Sequence, residues 1–200
     1  MCFVRHGERC DNVDYPDQLA RIELPWDPPL THEGEAQARL TGDHLKKVIK
    51  EHKYKFIVIE ASPWIRTLQT AAAIAQQIGV PQIRVNYNYS EWMKGKFFPE
   101  GNPIGKLYVE TLPIELIRER FLDGIDLDMS VFSDTRKTVA NRFPEGYSDT
   151  VYRVNNAIID LRKNYKYTDL RIAHIVVTHG ANVSTFSTHF AREAMCRISS

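Results

Sequence analysis

The chain has 200 residues, 43% of them hydrophobic and 26% charged. That is an ordinary globular balance: it excludes disordered and fibrous classes and suffices for one domain with a sizeable core. Its 26 Lys and Arg face 25 Asp and Glu, a net charge of +1, which argues against a protein built to grip nucleic acid.

Met1 to Val4 reads as a short strand and runs straight into Arg5 without a signal-peptide pattern. Thr31 is an N-cap for a helix to about His52, with Ala38, Leu45, Val48, Ile49 and His52 on one stripe. Phe56 to Ile59 is a second strand. Ser62-Pro63 reads as N-cap and first helical position of a helix to about Ile78, ended by Gly79. Ile83 to Val85 is a third strand. From about Tyr87 to Tyr147 the alternation breaks into a stretch dense in aromatic, Gly and Pro residues, including Trp92, Phe97, Phe98 and Tyr108. One short helix near Pro113 to Leu122 is expected there. An insertion of this length reads as a lid or substrate-binding excursion, or as a plain subdomain covering one end of the sheet. Ser148 caps a helix facing Val151, Val154, Ile158, Leu161 and Tyr165. Ile172 to Thr178 is the last strand, followed after His179-Gly180 by a helix carrying Val183, Phe186, Phe190 and Ala194. Strands alternating with helices predict an α/β fold: a three-layer α/β/α sandwich, its mainly parallel sheet covered on both faces.

No apolar run approaches the ~20 residues that cross a bilayer. The three cysteines, Cys2, Cys10 and Cys196, lack CxxC spacing and suggest neither a disulfide framework nor a metal cage. A cytoplasmic location is the expectation, with no metal or cofactor.

Chemistry concentrates where strands should end. Arg5-His6-Gly7-Glu8-Arg9 follows the first strand, His179-Gly180 the last, and Ser62-Pro63-Trp64-Ile65-Arg66-Thr67 another. Ligands of open α/β sheets sit at that edge. Two histidines and at least two arginines meeting there suit phosphoryl recognition. Guanidinium forks match phosphate oxygens, and helix starts near Arg66 and at Gly180-Ala181 add backbone N–H groups. A neutral imidazole amid such donors can attack phosphorus. Either histidine alone would suit a structural role; the pairing favours a site. No cysteine is followed six residues on by an arginine, and Gly101 to Lys106 fails the P-loop spacing. The sequons at Asn88 and Asn182 are read as incidental.

Arg5-His6-Gly7-Glu8, Ser62-Pro63 with Arg66-Thr67 and Gln69-Thr70-Ala71, Glu91, and His179-Gly180 together resemble the histidine phosphatase (phosphoglycerate mutase-like) superfamily over nearly the whole chain. The resemblance implies a phosphoglycerate mutase-like fold and a phosphomonoesterase needing no metal. His6 would be transiently phosphorylated, while Arg5, Arg66 and His179 would cradle the phosphoryl oxygens. Glu91 would protonate the leaving oxygen. Arg9 before Asp11, Glu91-Trp92 and the segment Gly146 to Tyr152 are similar to the phosphatase domain of proteins that also carry ubiquitin-associated and SH3 domains, which implies a further phosphate contact from Arg9. Two features depart from the pattern. Thr178 stands where Ala or Ser is commoner, and the sequence stops at Ser200 where members often continue into an edge segment. Acid phosphatases would show proline after the second arginine and His-Asp in place of His179-Gly180. Mutases would show a Trp-Asn segment and a longer chain. A mutase, a small-sugar bisphosphatase and a catalytically silent phosphate-binding module stay open as alternatives, although a silent module would be signalled by loss of His6 or Glu91. The expected partner is a phosphorylated small molecule or phosphoprotein, not nucleic acid or membrane. A homodimer is left open.

Overall fold

The first two strands in sequence, β1 (Cys2–Arg5) and β2 (Phe56–Ala61), do not touch. In the computed structural model, which describes residues 1–165 and 171–188, the last strand, β5 (Ile172–Thr178), lies between them. With β3 (Gln82–Val85) and β4 (Asp126–Asp128) the order is β1-β5-β2-β3-β4, and every pairing is parallel. The register sets Val4 beside Val177 and Ile59 beside Ile175, while Phe3 and Glu60 both flank Val176. Strand side chains alternate between faces, so these pairs define two separate packing surfaces.

After the short α1 (Pro16–Leu19) come α2 (His32–Glu51) and α3 (Ile65–Ile78), which form a core with one face of the sheet, that of Ile59, Ala61, Ile83, Val85, Ile175 and Val177. Helix α3 is buried nearly all round its first three turns, as expected of a helix wedged between sheet and neighbour. The other face carries Phe3 and Val176 beneath Val154 and Ile158 of α7 (Tyr147–Tyr165) and Phe186 of the helix at 180–188. Phe3 and Phe186 stack with ring centroids 3.4 Å apart. The fold is α/β with helices on both faces of the sheet.

Thr31 caps α2 as the sequence predicts, its hydroxyl accepting from Gly34 N at 2.9 Å. Gly79 ends α3 in the left-handed region at φ 86°, where glycine is unstrained. Two caps differ. Helix α3 begins at Ile65 after Trp64, and Ser62 is held elsewhere by a side-chain partner described below. Ser148 lies inside the first turn of α7, where Asp149 reaches back to accept from Gly146 N at 2.9 Å.

Between β3 and α7 the chain forms α4 (Tyr108–Thr111), α5 (Ile114–Phe121), β4 and α6 (Phe132–Ala140). Helix α5 occupies the predicted place. Strand β4 was not expected: Asp126-Leu127-Asp128 has one apolar residue, and as an outer strand its carboxylates reach arginines, Asp128 that of β3 (Arg84 Nε, 2.8 Å) and Asp126 that of α5 (Arg118, 3.1 Å). The expected helix residues Phe190 and Ala194, and Cys196, lie outside the described residues. No helix among the described residues is long and apolar enough to cross a membrane.

Candidate active site

The sheet delivers its chemistry at the carboxyl ends of its strands. His6 follows β1 and is tied to β5 by His6 N donating to Thr178 O at 3.0 Å. His179 follows β5 directly. Ser62 leaves β2 with its N–H on Val177 O (3.0 Å), so three chain segments exit side by side. Arg66 stands in the first turn of α3, and Glu91 follows the short turn (Tyr87–Tyr89) that leaves β3.

These residues converge. His6 is 7% exposed, Arg66 2% and His179 0%, and the two imidazole centroids are 5.4 Å apart. Arg66 Nη2 stands 3.3 Å from both Glu91 Oε2 and His179 Nδ1, and the latter two atoms are also 3.3 Å apart. His179 Nε2 meets Ser62 Oγ at 2.8 Å, the contact that takes Ser62 away from capping. Trp64 packs its edge on the His179 ring (5.5 Å) and lies beneath the Arg66 guanidinium (5.9 Å). Arg5 is exposed and passes alongside Gly180, where a Cβ would stand 3.6 Å from its Nε. Arg9 pairs through both arms of its fork with Asp11. Arg5, Arg9, Arg66, Glu91, Gly180 and Ala181 all line one cleft of about 470 Å³, whose outer wall is Trp26, Trp92, Phe97 and Phe98. Of the residues that the sequence nominated, these six line the cleft, while His6 and His179 pack together with His179 against Arg66 and Glu91.

The protonation pattern follows from the packing. His6 Nδ1 lies 2.7 Å from the Gly7 carbonyl, which can only accept, so Nδ1 carries the proton and Nε2 keeps its lone pair. Burial, the Arg66 guanidinium and the His179 ring drive the His6 pKa down to about 2. Burial likewise takes His179 to about 4, against the pull of Glu91. Burial pushes the Glu91 carboxyl up, but His179 and Arg66 more than reverse this and hold it well below the usual carboxylate range. At neutral pH the site thus presents neutral imidazoles, an ionised carboxylate and arginines.

His6, Glu91 and His179 offer ligand atoms within 4.8 Å of one another, a set that could geometrically take a divalent cation. Arg66 places a fixed positive charge against two of the three. The donor set suits an anion better than a cation.

The family model for the histidine phosphatase superfamily (branch 1) matches residues 1–100. The chain belongs to that superfamily. Among curated relatives, the uncharacterized phosphatase PhoE of Bacillus subtilis (strain 168) is 25% identical over 191 residues, spanning 96% of this chain and 77% of its own. The ubiquitin-associated and SH3 domain-containing protein A of Mus musculus is 28% identical over 157 residues, 64% of this chain, which corresponds to only 23% of that protein. The solved ecdysone phosphate phosphatase from "Bombix mori", in complex with tungstate, superposes with a TM-score of 0.56 at 16% identity, over 93% of this chain and 74% of its own. Phosphoglycerate mutase from Bacillus anthracis str. Sterne gives 0.51 at 17% identity, over 92% and 76%. These two structures establish a shared phosphoglycerate mutase-like fold. With the family match they identify this chain as a histidine phosphatase-superfamily enzyme.

Several residues around the site escaped sequence reasoning. Asp27 is fully buried and accepts from Ile65 N (2.9 Å) and Tyr108 N (3.2 Å), with Arg66 Nη1 3.9 Å away. Asn182 is also fully buried, its Nδ2 donating to Tyr89 O (2.9 Å) and Ser90 O (2.8 Å), which accounts for this sequon in structural terms. Arg153 and Glu145 form a buried ion pair behind Glu91. A lone Asp, Asn or Arg has no local spacing that marks it; only the fold brings these to the site.

Proposed function

We propose that this protein is a metal-independent phosphomonoesterase acting through a phosphohistidine on His6. The observation that carries this reading is the His6 tautomer: the Gly7 carbonyl fixes the proton on Nδ1, so Nε2 keeps the lone pair a nucleophile needs, on a ring 5.4 Å from that of His179. In the first step Nε2 attacks phosphorus in line, the P–O ester bond breaks, and the leaving oxygen takes a proton through Glu91. In the second, water attacks the phosphohistidine, its proton passing to Glu91, and inorganic phosphate leaves with His6 neutral again. Arg5, Arg66 and His179 hold the equatorial oxygens, with Arg9, Gly180 and Ala181 at the rim. Positioning and charge stabilisation supply most of the rate in such transfers.

The segment from about 87 to 147, with Trp26 opposite, contributes the aromatic outer wall. Lys94 Nζ stands 4.8 Å over the Trp92 ring and Lys106 Nζ 5.3 Å over Trp26. Such a wall supports a leaving group with a flat apolar body, in a small molecule or a phosphoprotein.

The test is hydrolysis of para-nitrophenyl phosphate without added metal, together with an alkaline, denaturing quench of the ³²P-labelled enzyme. The expected result is turnover and an acid-labile, base-stable phosphoenzyme in wild type, and loss of both in His6→Ala. Turnover at the wild-type rate in His6→Ala would overturn the assignment.

A further inference from the structure

Glu91 sits on a loop, yet four polar backbone groups around it are held by the side chains of one buried ion pair. Arg153 of α7 and Glu145 are both fully shielded from solvent, joined bidentately at 2.7 Å (Nε to Oε1) and 2.8 Å (Nη2 to Oε2). The remaining arginine N–H groups all go to the loop. Nη1 donates to Asn88 O (2.8 Å) and Ser90 O (3.1 Å), and Nη2 also donates to Glu91 O (3.2 Å). From the acid's side, Glu145 Oε2 accepts from Met93 N at 3.1 Å, and Glu145 O accepts from the Trp92 indole at 3.1 Å. Residues 88, 90, 91, 92 and 93 are thus fastened to two residues, all but Trp92 through their side chains. Asn182 pins the same loop from the helix that follows His179.

A pair of this kind is a poor investment in stability. Desolvating two charges offsets most of their attraction, and apolar replacements of equal volume often fold as well or better. What the pair does supply is a fixed backbone on either side of Glu91, to a tolerance that a salt-free core would not impose. Catalytic groups misplaced by about 1 Å lose on the order of a hundredfold in rate. Lysine cannot reproduce the fork.

We infer that Arg153 and Glu145 are positioning residues, a clamp that sets the Glu91 carboxylate at the leaving oxygen. The inference rests on the proposed phosphatase reading and deepens it. A clamp of Glu91 matters in proportion to how much the leaving group needs a proton. The readout is therefore the ratio of kcat/KM for para-nitrophenyl phosphate to that for glycerol phosphate, measured on one preparation. Because both rates scale with the same active fraction, partial unfolding leaves the ratio unchanged.

Arg153→Lys is expected to raise this ratio about ten- to a hundredfold, by slowing the alkyl substrate while the aryl rate moves less than threefold. Glu145→Gln carries the same expectation and serves where Arg153→Lys yields no folded protein. Glu91→Gln raises the ratio by itself, and adding Arg153→Lys to it changes nothing further. A ratio that stays at the wild-type value in both clamp variants, while Glu91→Gln raises it, would reduce the pair to core structure and leave the phosphatase reading intact. A ratio unmoved by Glu91→Gln overturns the clamp and the general-acid role together, with the His6 assignment still standing on its own test.

Discussion

Glu91 faces a contradiction of charge: Arg66 and His179 hold it ionised, whereas protonating a leaving oxygen needs a proton on it. Under the proposed mechanism, bound phosphate would resolve this: a phosphoryl group drawing Arg66 onto its own oxygens would release Glu91 from that charge, and the substrate monoanion would bring the proton with it. Phosphate monoesters lose their second proton at a pH of about 6. For an alkyl phosphate we therefore expect kcat/KM to fall as pH rises above about 6, tracking loss of the monoanion. The aryl substrate should fall less, because its leaving oxygen departs without a proton. Parallel pH profiles for the two substrates would refute this proton route. Arg66 makes a second residue-level test: Arg66→Lys keeps a charge but loses the planar fork that serves Glu91 and His179 together. It should cost on the order of a hundredfold in turnover, measured with para-nitrophenyl phosphate.

At the level of elements, the loop after β1 and the start of α2 lie against each other backbone to backbone. A Cβ on Gly34 would stand 2.3 Å from Glu8 O, and one on Gly7 would stand 2.4 Å from Gly34 O. Neither partner is a flexible side-chain tip, so Gly34→Ala must push α2 away from the segment carrying His6. We expect a loss of roughly 1–3 kcal/mol in urea denaturation, with activity falling further than stability does. Asp27 joins two other elements by receiving the first N–H groups of α3 and α4. Asp27→Ala leaves both unpaired in a dry setting, at a cost of roughly 2–4 kcal/mol, read from the same denaturation curves. How much of this was legible in the sequence depended on range. Thr31 and Gly79 act within a few residues and were readable as caps, and the β-branched strands announced themselves. Ser62 also looked like a cap, but a histidine 117 residues away claimed its hydroxyl. Gly34 reads as an ordinary helical glycine until the close approach of Glu8 is seen. His6, Arg66, Glu91 and His179 were identifiable because strand ends gather them at one edge. Asp27, Glu145 and Arg153 were not, since each serves its neighbours through tertiary contacts that no spacing records.

For the molecule as a whole, the site is a burden at low pH. The folded pKa values of His6 and His179, about 2 and about 4, lie below the ordinary 6.5. The unfolded chain therefore takes up protons that the folded one refuses. Their contribution is fully favourable above pH 6.5 and erodes as pH falls, by about 1.4 kcal/mol per pH unit for each proton. Glu91, depressed in the fold, works in the same direction below pH 4.5. Asp27 works against them: its folded pKa is raised to about 6 by burial, so it gains stability as pH drops from there toward 3.8. Two histidines outweigh one aspartate. The melting temperature should decline from pH 7 to pH 4.5, and His6→Asn should flatten that decline. Equal slopes for wild type and variant would show that His6 is not held neutral.

Strand order also dictates timing. Among the described residues β1 has a single neighbour, β5, with Cys2 beside Ile175 and Arg5 beside Thr178. On the ribosome, the segment bearing His6 is therefore made well before its strand partner. Throughout synthesis of the intervening chain, β1 has no edge to join, and closing so long a loop is slow. Nascent chains ending before Thr178 would contain His6, Arg66 and Glu91 yet lack both the strand that flanks β1 and the His179 ring that packs against His6. Half-made protein would thus carry one histidine of the pair without the other.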